Sequence, residues 1–236
     1  ASKKTVGVSD GAQNGVVKAQ MAKAIHAHQA GRLEEAEAIY RQVLTTNPDH
    51  PKALGLLGAI AVVTDNIEAG VDLISRSIAL KSGDPDAHIN LGSALILLGR
   101  HSEALEHFDQ ALALNPDNHA AHSNRGICLR HLGQTKESIN SFRRAIALKP
   151  ELAIAHYNLS FALLSNEQEK EGLAEMEWRW GSPTFDFTMR DFSEPMWDGT
   201  TNLNDKTLFL WPEQGPGDMI IWASHLKEII TRAEHC

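Results

Sequence analysis

The chain has 236 residues, 42% of them hydrophobic and 22% charged, with a formal net charge of -8, which is the profile of an ordinary globular protein and not of a disordered tail. The acidity leaves no basic stripe for phosphate contacts and so argues against a general nucleic-acid binder, and no apolar run approaches the roughly 20 residues that a membrane helix needs. Cys128 and Cys236 are the only cysteines; they form no paired pattern, so a disulfide framework is not expected and a reducing, cytoplasmic setting is.

Residues 1–16 lack the apolar core of a signal peptide and read as a flexible lead-in. From Val17 to about Trp180 a 34-residue period governs the chain: "DAHINLGSAL" at 86–95 returns as "AAHSNRGICL" at 120–129 and as "IAHYNLSFAL" at 154–163. With Pro48, Pro116 and Pro150 as closing marks, the copies run 17–50, 51–84, 85–118, 119–152 and 153–180. Each copy holds two helical stretches around a short turn. The turn carries Gly31, Gly99 or Gly133, with Asp65 in the second copy and Glu167 in the less regular fifth, as expected where a helix stops in a left-handed conformation. The fold class is therefore mainly α, a superhelical solenoid of about five helix-turn-helix units.

Within a copy, small residues stand eighth and twentieth, a large apolar residue twenty-fourth and proline thirty-second. In the third copy these are Gly92, Ala104, Phe108 and Pro116, and in the fourth Gly126, Ser138, Phe142 and Pro150. The second copy is degenerate, with Gly70, Ile74 and Ser82 at the last three places. This pattern resembles the tetratricopeptide repeat, in which each unit buries its apolar face only by stacking on its neighbours.

At about 100° per residue, the fourth, seventh, eighth and eleventh residues form the packing stripe, His88, Leu91, Gly92 and Leu95 in the third copy. The sixth residue points away from that stripe. Asn90, Asn124 and Asn158 therefore form a row on the first helices, which in tetratricopeptide proteins line the concave groove. Their amides offer donors and an acceptor to the alternating backbone groups of an extended peptide. The alternative is that each Asn bonds the neighbouring repeat and locks the stack. The row also resembles the asparagine ladder of the O-linked N-acetylglucosamine transferases, which holds the acceptor polypeptide there; Ala22 and Leu56 interrupt it in the first two copies. A carboxylate clamp of the chaperone-binding kind needs cations beside the asparagines, and Lys18 and Lys52 fall in the copies that lack them.

His88, His122 and His156 recur at the fourth place. Neighbouring helices lie roughly 8 to 10 Å apart, too far for two imidazoles to share zinc at bonds of about 2 Å, so these rings are read as packing, and no metal site is expected. His119 and His122, spaced for weak chelation, are the alternative. Cys128 is read as buried filler.

Past Trp180 the rhythm breaks. Residues 181–206, with Gly181, Pro183, Pro195 and Gly199, read as a connector. "KTLFLW" at 206–211 reads as a buried strand, "PEQGPGD" as a turn, and Asp218 to Arg232 as an amphipathic helix. Residues 207–236 would then be the first βα unit of an α/β domain, with Gly215 and Gly217 in a phosphate loop beside Glu213 and Gln214.

The series "EWRW", "FSEPMWDG", "KTLFLW" and "EQGPGD" resembles bacterial proteins in which tetratricopeptide repeats precede a heptosyltransferase-like glycosyltransferase domain. That resemblance implies that the matching Asp218 acts as catalytic base toward the acceptor hydroxyl, with a nucleotide sugar as donor; an Asp after a glycine turn is also a favoured helix cap. One strand and one helix cannot build a nucleotide crevice, so the expectation is a truncated enzyme, inactive in this form and without cofactor, whose last unit packs on the repeats, pairs with another copy or frays. Three function classes follow: a scaffold binding a peptide or protein segment, the acceptor-binding arm of a larger glycosyltransferase, and a self-assembly module.

Overall fold

A computed structural model of the chain describes residues 7–181, with side chains from Asn14 onward. The described residues form ten α-helices in five consecutive pairs. They are α1 (Gly7–Gln29) and α2 (Leu33–Thr46), α3 (Pro51–Val63) and α4 (Ile67–Leu80), α5 (Pro85–Leu97) and α6 (His101–Leu114), α7 (His119–His131) and α8 (Thr135–Leu148), and α9 (Ala153–Ser165) and α10 (Glu169–Met176). A 3-10 turn, Glu177–Gly181, closes the series. The strand, glycine turn and helix expected within 207–236, and the connector from residue 182 to 206, lie outside the described residues.

The first helix starts at Gly7 and not at Val17, so residues 7–16 of the expected lead-in are helical. No proline interrupts this stretch, and the buried Val17 and Met21 anchor it against the first pair.

The turn inside each copy has the expected chemistry. Gly31, Gly99 and Gly133 take φ of 74°, 71° and 75°, and Asp65 and Glu167 adopt the same left-handed state at 65° and 60° without the freedom of glycine. In every copy the next amide reaches back to close the helix, as Arg100 N–H does to the Leu95 carbonyl at 2.9 Å and Gln168 N–H to that of Leu163 at 3.0 Å. Prolines begin α3 and α5, where a missing N–H costs nothing, while Asp84 and Asn118 accept backbone N–H groups at the starts of α5 and α7.

Packing inside a copy depends on the small eighth residue. A Cβ at Gly92 would lie 2.7 Å from Phe108 Cζ, and one at Gly126 the same distance from Phe142 Cε1, so the rings of α6 and α8 rest on bare backbone of α5 and α7. Both phenylalanines are fully buried, and burial of each stabilises the pair by about 1.5 to 3 kcal/mol. Ser138, at the twentieth place, is buried as well and donates to the Gly126 carbonyl at 2.8 Å. Ile74 takes the place of the phenylalanine in the second copy, against Gly58.

Each second helix packs on the next first helix, and successive first helices also touch, α3 to α5, α5 to α7 and α7 to α9, whereas the second helices make no comparable contact with one another. First helices that converge while second helices diverge bend the stack, with α3, α5, α7 and α9 on its inner side.

Candidate functional site

The inner side is built by the residues of the first helices that point away from the packing stripe. In α5 the stripe is buried as expected, with His88 at 6%, Leu91 at 3% and Leu95 at 2% exposure. Asn90, Asn124 and Asn158 stand off it and are half-buried. The row is thus partly sheltered and not simply outward, because the flank that carries the sixth residue faces the preceding first helix.

What each amide does depends on that neighbour. Asn124 Nδ2 donates to Ser93 Oγ on α5 at 3.2 Å, which is the locking arrangement. The matching residue before Asn90 is Ala59, and before Asn158 it is Ile127, so neither has such an acceptor. Asn158 Nδ2 instead donates to the Ile154 carbonyl of its own helix at 2.9 Å, and Asn90 makes no side-chain hydrogen bond among the described residues. Each bonded amide uses one hydrogen, and a carboxamide offers a second hydrogen and an accepting oxygen.

Around the row the inner side changes character along the stack. Copies two and three present Leu56, Ala59 and Ile89, half-buried, and Val63 and Leu97, exposed by 66% and 62%. Copies four and five present Arg130, His131, Tyr157 and Phe161, the last two in edge-to-face contact at 4.9 Å.

The histidines at the fourth place do more than fill space. His88, His122 and His156 each turn Nε2 toward the carbonyl six residues earlier, that of Ser82 at 3.1 Å, Pro116 at 2.9 Å and Pro150 at 2.8 Å. A carbonyl only accepts, so Nε2 carries the proton and the ring ties each copy to the end of the one before it. Burial, with smaller effects from Arg144 and Arg125, holds the His122 pKa below its ordinary value against the Pro116 bond. The Nδ1 atoms differ. That of His88 meets His107 Nδ1 at 3.2 Å, so the neutral His107 donates; burial and then His88 lower the His107 pKa. His156 Nδ1 meets the Glu175 carboxylate, and Trp178 stacks on the ring at 4.0 Å. The signal for these ties was in the sequence, as a histidine repeatedly six residues after the copy's closing mark.

Among the described residues no three His, Cys, Asp or Glu side chains converge on a point that could hold a metal ion. Cys128 is fully buried, and burial pushes its thiol up to about 12, which suits filler and not a nucleophile. Within "EWRW", Arg179 is buried, donates to Glu177 at 2.9 Å and lies 4.5 Å over the Trp180 ring, so this motif seals the end of the fifth copy. Asp218, Glu213, Gln214, Gly215 and Gly217 lie outside the described residues. No described helix is long and apolar enough to cross a membrane.

A comparison with curated proteins returned no match. Among solved structures, a segment of MamA from Desulfovibrio magneticus RS-1 is 18% identical over 71% of this chain and 97% of its own, with a TM-score of 0.62. A second MamA, from MSR-1, is 24% identical over 69% and 93%, with a TM-score of 0.60. YrrB, described as a tetratricopeptide protein with an unusual peptide-binding site, is 23% identical over 67% and 82%, with a TM-score of 0.58. At these identities the likeness concerns the fold. Family models for the tetratricopeptide repeat match residues 27–91, 85–118, 107–140 and 128–166. Since these matches run unbroken over more than half of the chain and five helix pairs repeat along it, the chain belongs to the tetratricopeptide repeat proteins.

Proposed function

We propose that the chain is a protein-interaction scaffold that holds an extended peptide or protein segment against the inner side of α5, α7 and α9. The observation that carries this reading is the row Asn90, Asn124 and Asn158, sheltered yet not used up by the fold. Asn90 makes no internal side-chain bond among the described residues, and the other two use one amide hydrogen each. Carboxamides at a regular spacing meet the alternating N–H and C=O groups of an extended backbone and read little of its sequence. YrrB, a tetratricopeptide protein with an unusual peptide-binding site, is in keeping with it. The test is retention of degenerate nonapeptides by the 236-residue chain and by its N90A/N124A/N158A variant. The wild type should retain a subset, and the variant should lose it at a melting temperature within a few degrees of wild type; undiminished retention by the variant removes the asparagine row from the reading.

A second reading rests on the resemblance of residues 177–218 to bacterial tetratricopeptide glycosyltransferases. In it the segment held by the row is an acceptor polypeptide, the donor is a nucleotide sugar, and Asp218 takes the acceptor proton. A longer protein carrying this sequence should then transfer labelled sugar to a retained peptide, and Asp218→Asn should abolish transfer without changing retention.

A further inference from the structure

Nine arginines fall among the described residues, and eight of them pair with a carboxylate. Arg130 does not. It is half-buried on α7, and its Nε is shielded from solvent without a hydrogen-bond partner among the described residues. The chain has 30 acidic residues against 22 basic ones, so acids to pair with it are not scarce, and a shielded N–H without a partner costs stability.

The neighbourhood deepens the anomaly. His131 follows Arg130 and stacks face to face on His101 of α6, with ring centres 4.2 Å apart and planes within 5°. His101 Nδ1 is likewise buried without a partner among the described residues. Burial, then His101, then Arg130 lower the His131 pKa, which means that the charged groups acting on it from its own helix and from α6 are all basic. At about 100° per residue, Arg130 and His131 project to either side of Ile127 on the inner side of α7. Three basic side chains from two helices thus share the edge of the groove with no acid to balance them among the described residues.

We infer that Arg130, with His131 and His101 beside it, receives an anionic side chain of the bound segment, a carboxylate or a phosphate. This rests on the groove reading above and adds to it the chemistry of the partner. A guanidinium can donate two parallel bonds to either anion, while the neutral asparagines hold the backbone.

Degenerate nonapeptides without other acidic residues, carrying a fixed central Glu, Gln, phosphoserine or Ser, test it on the 236-residue chain. The Glu pool should be retained about tenfold better than the Gln pool, or the phosphoserine pool about tenfold better than the Ser pool, which also tells carboxylate from phosphate. Arg130→Gln should erase the preference, bringing the charged pools to the level of their neutral counterparts at a melting temperature no lower than that of the wild type, and Arg130→Lys, which keeps the charge but loses the fork, should keep part of it. Equal retention of charged and neutral pools overturns the assignment and leaves the groove reading standing. Retention of none of the pools defeats the groove reading itself.

Discussion

The third and fifth copies share one backbone device and finish it with different chemistry. In both, a histidine at the fourth place donates from Nε2 to the carbonyl six residues back. In the third copy its other nitrogen faces a second histidine, His107, and in the fifth a carboxylate, Glu175. The third copy also lies between two neighbours and buries Phe108 completely, whereas the fifth has Met176 in that place, half-buried. The repeat therefore prescribes the geometry of the joint, and the side chain at the twenty-third place decides how the joint responds to its surroundings.

The largest difference should appear on emptying the two cores. Phe108→Ala removes a ring seated on the bare backbone of Gly92 and should cost about 3 to 5 kcal/mol, a fall of roughly 10 °C in melting temperature. Met176→Ala should cost less than about 2 kcal/mol, because its site is already open to solvent. Comparable losses in thermal scans would mean that the fifth copy is as well packed as the third.

The turns give a smaller contrast of opposite sign. Gly99→Ala places a Cβ in the left-handed region where nothing crowds it, so only the backbone cost of about 1 to 2 kcal/mol appears. Glu167→Gly relieves that cost in the fifth copy and should stabilise by up to about 1 kcal/mol, offset by the greater freedom of glycine when unfolded. Urea titrations would show the two shifts in opposite directions.

The acid response is the smallest effect expected and the one most specific to the joint. The folded pKa of His107 lies below its ordinary value, so below about pH 6.5 the unfolded chain binds more protons than the folded one, and stability falls as the pH drops toward the folded pKa. His122 and His131 are shifted the same way and add to the fall. His107→Glu gives the third copy the partner found in the fifth and should make the fall between about pH 7 and 5 shallower; an unchanged slope would show that His107 takes no part in it.

Much of this was open to reading before any coordinates. The 34-residue period and the left-handed turns including Asp65 and Glu167 follow from residue size and φ preference, which act locally, whereas the seat of Phe108 on Gly92 of its own copy needed the structure, because a large apolar residue at the twenty-fourth place reads equally as filler between successive copies. The face that carries Asn90, Asn124 and Asn158 followed from helical periodicity, but its half-burial did not, because that depends on how closely one first helix approaches the next. The bond from Asn124 to Ser93 crosses such a gap, whereas the histidine ties to Ser82, Pro116 and Pro150 span only six residues of the chain and were signalled by that spacing. The isolation of Arg130 was hidden for a related reason: whether a cation finds a carboxylate depends on several helices at once.

The central claim is that a bound segment lies on the inner side of the first helices. A photo-crosslinking residue at Ile127, on that side of α7, and at Lys136, exposed on α8, tests it directly with a retained nonapeptide. Crosslinking from position 127 and none from 136 is the outcome this account requires, and crosslinking from 136 alone would contradict it.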